Sequence, residues 1–171
     1  MRKTNLLAAP LLIAALALAG CQTPPQNPPA EQQLSEAQKR ALALKQEGFV
    51  ESAEGWEFSA SEKLLFGSDE AVLNQEAKQT VNRIARMLID LGIPGVRIDG
   101  HTDASGSASY NDQLSLRRAQ AVADVIAAAG MPADNIKVRG LGSRVPVASN
   151  QTAEGRSQNR RVVLVILGER P

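Results

Sequence analysis

The sequence predicts a mixed α/β domain with helices packed on a sheet, and three observations predict it. Leu73, Ala77, Val81, Ile84, Leu88 and Leu91 recur at steps of three and four, the period of a half-buried helix. Val96 and Ile98 alternate with Arg97 and Asp99, the period of a strand with one buried face. Val162 to Leu167 is a continuous β-branched and leucine run, as expected of a strand covered on both faces. Taken along the chain, the order is strand, helix, strand, helix, strand, long loop, strand. Such alternation implies crossovers that lay helices on the sheet and at least one parallel strand pair. The fold class is thus α/β, an α+β sandwich of order βαβαβ(α)β.

The elements follow from the N-terminus. Arg2 and Lys3 precede an apolar run from Leu6 to Ala19 that ends in Leu18-Ala19-Gly20-Cys21. Charged residues, a short apolar run and small residues before a cut are the parts of a secretory signal, here residues 1–20. The run falls short of the roughly 20 residues needed to cross a bilayer. Cys21 is the single cysteine, so it forms no internal disulfide. Its place after Ala19-Gly20 resembles a lipobox, whose thiol is acylated, and Gln22 in place of Asp resembles the outer-membrane pattern. Each buried CH₂ of acyl chain contributes about 0.8 kcal/mol, so several chains on one residue make a durable anchor.

Removal of the signal takes two of the 19 basic residues and none of the 18 acidic ones, leaving a formal charge of −1. That balance argues against nucleic acid as a partner and against a polybasic membrane patch. Residues 21–33, the anchor cysteine and a Gln/Pro/Asn linker, form a semi-stiff tether of about 40 Å at most. Residues 34–63 then hold a helix and an aromatic segment. Ser35 with Gln38 makes a capping box, Leu34, Ala37, Ala41 and Leu44 a thin apolar stripe, and Gly48 a stop. A helix of about 12 residues is marginal alone, so it is expected to gain order by docking on its own domain or on a partner. Phe49, Trp56 and Phe58, around a turn at Ala53-Glu54-Gly55, predict a hairpin or edge strand.

From residue 64 to 168 the domain proper is expected. Leu64, Leu65 and Phe66 enter the core. Asn74 caps the first long helix, which Gly92 and Pro94 end, and the Val96 strand closes at Gly100. A second helix runs from about Ser109 to Ala129, and Ile136 and Val138 mark the next strand. The 19-residue stretch Ser143 to Arg161 is too long to be a plain connection, and Thr152 to Gln158 has room for a helical turn.

Catalysis finds little support. One histidine, no thiol free for nucleophilic work and no Gly-x-Ser-x-Gly elbow leave the usual triads unassembled. No Walker-type phosphate loop appears, and His101 with Asp103 gives two metal ligands where zinc needs three or four, so no cofactor is expected. What stands out is Gly100-His101-Thr102-Asp103-Ala104-Ser105-Gly106 at a strand end, followed by Tyr110-Asn111 and Arg117-Arg118. Strand ends before a helix are where ligands bind in such sheets. Asn111 and Arg118, seven apart, fall within about 20° of each other on a helix. Arg118 can therefore grip a carboxylate and Asp103 an ammonium in one crevice, which suits a zwitterion. The alternative, in which Asp103 folds back on its own turn and pairs with Arg118, stays open.

These residues, together with Leu114-Ser115, Gly140-Leu141-Gly142, Glu154-Gly155-Arg156 and Asn159-Arg160-Arg161-Val162, resemble the OmpA C-terminal-like domain, the peptidoglycan-binding module also found in Pal-type lipoproteins. The resemblance covers roughly Leu64 to Leu167. It implies non-covalent binding of the diaminopimelate-bearing stem peptide, with the family's Asp and Arg falling on Asp103 and Arg118. It also implies that Thr102 and Asn111 line the site, with Asn159 and Arg160 beside it and Asp69 at its rim. Gly67, where many members carry Asp, leaves the part of Asp69 open. His101 reads as a support for the loop. Gln46-Glu47-Gly48-Phe49, Gly55-Trp56-Glu57-Phe58 and Leu65-Phe66-Gly67 further resemble outer-membrane lipoproteins that capture a periplasmic, YfiR-like repressor and thereby relieve a membrane diguanylate cyclase. That likeness implies a docking surface made of Leu44, Phe49, Trp56 and Phe58. The competing reading is that Trp56 and Phe58 are core residues of the first strand.

Overall fold

The last strand of the chain is the centre of the sheet. In the computed structural model, which describes residues 34–66 and 71–167, β5 (Arg161–Leu167) pairs antiparallel with β2 (Gly55–Ser61) on one side and β3 (Val96–His101) on the other. Outside these lie β1 (Val50–Ser52), antiparallel to β2, and β4 (Ile136–Gly140), parallel to β3. The order is β1-β2-β5-β3-β4, with the one expected parallel pair. The signal and tether, with the Cys21 lipidation site, lie outside the described residues, as does Asp69.

The capping signals place the helices. α1 (Glu36–Glu47) begins at the Ser35/Gln38 capping box and ends at Gly48, which takes a left-handed φ of 99°. α3 (Gln75–Asp90) starts where the Asn74 side chain accepts from Ala77 N. α4 (Ala108–Ala128) starts one residue before the expected Ser109, because the hydroxyl of Ser107 accepts from Tyr110 N. α5 (Ala153–Asn159) is the turn expected inside the long loop. Leu64 departs from expectation. The segment forms a one-turn helix, α2 (Glu62–Leu65), which turns Leu64 to solvent while Leu65 and Phe66 stay buried.

Phe58, Ala60, Ile98, Val162, Leu164 and Ile166 of the sheet pack with Val81, Ile84 and Leu88 of α3 and Ala119, Val122 and Ile126 of α4. From 161 to 166 β5 is buried along both faces, but among the described residues no helix covers its second face. Val163 and Val165 stand beside Glu57, Ser59, Arg97 and Asp99 in register, and Asp99 is held there by Arg97 at 3.0 Å and Arg139 at 2.6 Å. Long polar side chains cover that face with their stems.

Close helix approach at the end of β3 sets the site. A Cβ on Gly100 would collide with the Ser115 carbonyl, and one on Gly140 would lie 2.7 Å from the Asp112 carbonyl. Only glycine at both points lets α4 lie directly on β3 and β4. The Ser115 hydroxyl then fills the gap, accepting from Gly142 N at 3.0 Å and donating to the Asp112 carbonyl at 2.9 Å. Asn111 and Arg118 are thereby brought over the end of β3.

Candidate functional site

A cavity of about 320 Å³ opens where β3 ends, lined by Glu62, Lys63, Phe66, Thr102, Asp103, Ser105, Tyr110, Asn111, Leu114, Arg118 and Arg160. Thr102 and Asp103 leave β3 directly into it. Asp103 is fastened on both carboxylate oxygens: Oδ1 accepts from Ser105 N at 2.8 Å and Oδ2 from Arg160 Nη1 at 2.7 Å. Burial pushes this carboxyl upward, yet the hydrogen bonds from Arg160 and Ser105 outweigh it and hold it below the usual carboxylate range. The Asn111 amide donates to the Ser105 carbonyl at 2.8 Å and the Asp103 carbonyl at 3.3 Å, fixing the loop around the carboxylate.

Arg118 forms the opposite wall. It is 2% exposed, its guanidinium lies 5.4 Å from the Phe66 ring centroid, and it donates to Glu62 Oε1. Glu62 Oε2 accepts from Arg160 Nε, and Arg160 bonds Asp103 through its remaining arm. Charges alternate along this chain: Arg118, Glu62, Arg160, Asp103. Asp103 does fold onto its own turn, as one of the two readings held, but its ion partner there is Arg160. The Thr102 hydroxyl is buried with no hydrogen-bond partner. A buried polar atom left in that state carries a cost.

Five of the residues expected at the site, Thr102, Asp103, Asn111, Arg118 and Arg160, line one cavity. Asn159 does not. It is fully buried, its Oδ1 accepts from Val147 N and Ala148 N at 2.8 and 3.0 Å, and its amide donates to the Ala148 carbonyl and Asn150 Oδ1, both at 2.9 Å. With its side-chain hydrogen bonds spent inside the long loop, Asn159 staples that loop and offers nothing to a ligand. Asn150 passes the support on, accepting from Ala104 N at 3.1 Å. His101 points to the other side of the sheet, in register with Arg161. Burial, with help from the nearby Arg161 charge, lowers its pKa to about 4, so it is a neutral support for the strand end.

The docking surface expected from Leu44, Phe49, Trp56 and Phe58 is corrected by their burial. Leu44, Phe49 and Trp56 belong to the hydrophobic core, at 0%, 3% and 2% exposure. The strand alternation turns Trp56 inward onto the helices, and α1 docks on its own domain through Leu44. Arg83 holds the end of α1 by bonding Glu47 at 2.5 Å, and Lys45 sits 5.5 Å from the Trp56 ring centroid. Phe58 is half-buried, its ring centroid 5.4 Å from that of Phe49.

Glu62 is the residue that sequence reasoning missed. Its partners are 56 and 98 positions away, and it stands at a strand-helix junction that no motif marks. The signal available was an acidic residue beside a lysine ahead of an apolar triplet, which by itself reads as solvated surface.

Residues 65–160 match the OmpA family. The chain belongs to that family. Over 170 residues it is 46% identical to the outer-membrane lipoprotein YfiB of Pseudomonas aeruginosa, a similarity that covers 99% of this chain and 97% of that protein. It is 44% identical over 103 residues to the peptidoglycan-binding protein ArfA of Mycobacterium tuberculosis, covering 60% of this chain and 32% of ArfA. Among solved structures, the cell wall anchor of the T6SS from Pseudomonas aeruginosa matches with a TM-score of 0.64 at 29% identity, covering 78% of this chain and 97% of that one. The expected fold class is borne out, with a mixed five-stranded sheet and helices packed on it. The similarity to YfiB runs through the N-terminal segment that contains Cys21, and the chain is accordingly an outer-membrane lipoprotein.

Proposed function

We propose that this lipoprotein binds peptidoglycan non-covalently through the zwitterionic end of the diaminopimelate stem residue, and that it captures a YfiR-like periplasmic repressor, relieving a membrane diguanylate cyclase. The first part rests on a single observation: a buried guanidinium, Arg118, and a carboxylate, Asp103, line one cavity. A charge pair of that kind matches an ammonium and a carboxylate on one carbon, with the guanidinium presenting two parallel donors. The named binding of ArfA and the wall anchoring of the T6SS protein support the ligand class. The arrangement is that of a binding module, with no nucleophile and base set against each other. In a pull-down with purified sacculi, Asp103→Ala and Arg118→Ala are each expected to lose most retention while keeping the wild-type circular dichroism spectrum. Retention equal to wild type in both would remove the site.

The second part is supported by the likeness to YfiB across the helix and hairpin. With Leu44, Phe49 and Trp56 in the core, the contact falls to the half-buried Phe58 and the exposed Val50 of the hairpin. Phe58→Ala is expected to bind sacculi normally and to lose a purified YfiR-like protein in gel filtration. If the variant still binds both partners, the contact lies elsewhere than Phe58; if wild type itself binds sacculi but not the YfiR-like protein, the alternative of a purely structural Pal-type anchor between outer membrane and wall gains.

A further inference from the structure

Glu62 ties the two arginines of the cavity together. Its two oxygens accept from Arg118 and from Arg160, and its backbone N–H donates to the Arg160 carbonyl at 2.9 Å. Glu62 and Arg160 are therefore joined through both side chain and main chain. Together they present one carboxylate and one cation, and they present them to particular groups: the carboxylate to Arg118, the cation to Asp103.

The geometry points to the Glu62–Arg160 pair as a built-in stand-in for the zwitterionic ligand, occupying its two charge subsites until the ligand displaces it. The inference rests on the diaminopimelate reading above. On binding, the ligand carboxylate takes the place of Glu62 on Arg118 and the ligand ammonium takes the place of Arg160 on Asp103. Glu62 and Arg160 remain paired with each other.

Two features support an exchange of this kind. The first is charge conservation. Two ion pairs are broken and two are made, so a zwitterion leaves no buried charge without a partner, the outcome that makes breaking a buried pair costly. A lone anion displaces Glu62 and adds negative charge beside two carboxylates, and a lone cation adds positive charge beside two guanidinia. The second is mobility in the right place. The side chain of Arg160 is 28% exposed and that of Arg118 only 3%, so Arg160 can turn to solvent while Arg118 stays as the anchor.

The consequence is selectivity through rejection. Glu62 weakens every carboxylate that approaches Arg118, and only a group that also carries an ammonium recovers the loss on Asp103. Glu62 is thus a specificity-determining residue, and its presence lowers affinity.

The test uses the full-length chain in detergent and the stem tripeptide L-Ala-γ-D-Glu-meso-diaminopimelate, with acetate as a simple anion. Wild type is expected to bind the tripeptide and to be unaffected by excess acetate. Glu62→Gln, which keeps an acceptor for Arg118 but removes the charge, is expected to bind the tripeptide several-fold more tightly and to become sensitive to acetate. Weaker or unchanged binding by Glu62→Gln, with acetate still inert, overturns the inference and makes Glu62 a mere positioning partner of Arg118. Should the variant not fold, wild type labelled with ¹³C-carboxyl glutamate decides: one buried carboxyl resonance shifts on saturation with tripeptide if Glu62 is displaced, and none shifts if it is not. Wild type that does not bind the tripeptide at all removes the pocket reading itself, a result distinct from either.

Discussion

The pocket at the end of β3 and the helix-hairpin segment at the start of the domain both hide conspicuous side chains, but they hide opposite kinds. Around the pocket the hidden groups are charged and face a cavity; in the segment they are Leu44, Phe49 and Trp56, and they face one another and the helices. Burying an aromatic ring needs no further explanation, because removing its apolar surface from water is favourable by itself. Burying Arg118 between Phe66 and Glu62 does need one, since desolvating a guanidinium is costly unless every partner is in place. Hidden charge is therefore the better pointer to a site, and clustered aromatics are the better pointer to a core.

That contrast can be broken most readily in the segment. Trp56→Ala is expected to lower unfolding free energy by about 3–5 kcal/mol, the usual cost of deleting a buried large aromatic side chain, seen as a reduced urea midpoint. Wall binding by the fraction still folded should be unchanged. A midpoint equal to wild type would show that Trp56 is spare surface after all.

Asn159 sharpens the comparison from the other side, because it borders the pocket in sequence and not in space. Asn159→Ala removes the acceptor of the backbone N–H groups of Val147 and Ala148, at a cost of about 1 kcal/mol for each hydrogen bond lost. Its sacculus binding should remain near wild type, whereas a variant of the neighbouring Arg160 should change binding.

At neutral pH the smallest effect expected is that of His101, whose contribution shows only in acid. His101 ordinarily titrates at 6.5 and in the fold at about 4, so the unfolded chain binds the proton more readily. Stability should be level above pH 6.5 and fall as pH drops from there toward 4, by at most about 1.4 kcal/mol per pH unit for one proton. His101→Gln should flatten that limb of a stability-against-pH curve. A slope that survives the substitution would assign it to other groups.

How much of this was legible in the sequence depended on the range of the interaction. Helices α1, α3 and α5 began at the residues whose side chains cap them, Ser35, Asn74 and Thr152, because capping is local chemistry. Asn111 and Arg118 could be placed on one face by counting along a helix, and Asp103 by its position after a strand. Glu62 could not be placed, since only the antiparallel pairing of β2 with β5 brings Ser61 against Arg161 and so sets Glu62 beside Arg160. Asn159 was misplaced for a related reason: adjacency to Arg160 in a motif does not say which way each side chain points, and in a turn leading into a strand the two point apart. Trp56 followed the simpler of its two readings, as an inward residue of an alternating strand.

The claim at the centre of this account is that the pocket recognises a carboxylate and an ammonium together. The most direct measurement compares the affinity of the full-length chain for two stem tripeptides that differ only in whether the third residue is meso-diaminopimelate or lysine, which lacks the terminal carboxylate. The account predicts clear binding of the first and at least about a tenfold loss for the second, the equivalent of one charge-assisted hydrogen-bond pair. Equal affinity for the two peptides would contradict it.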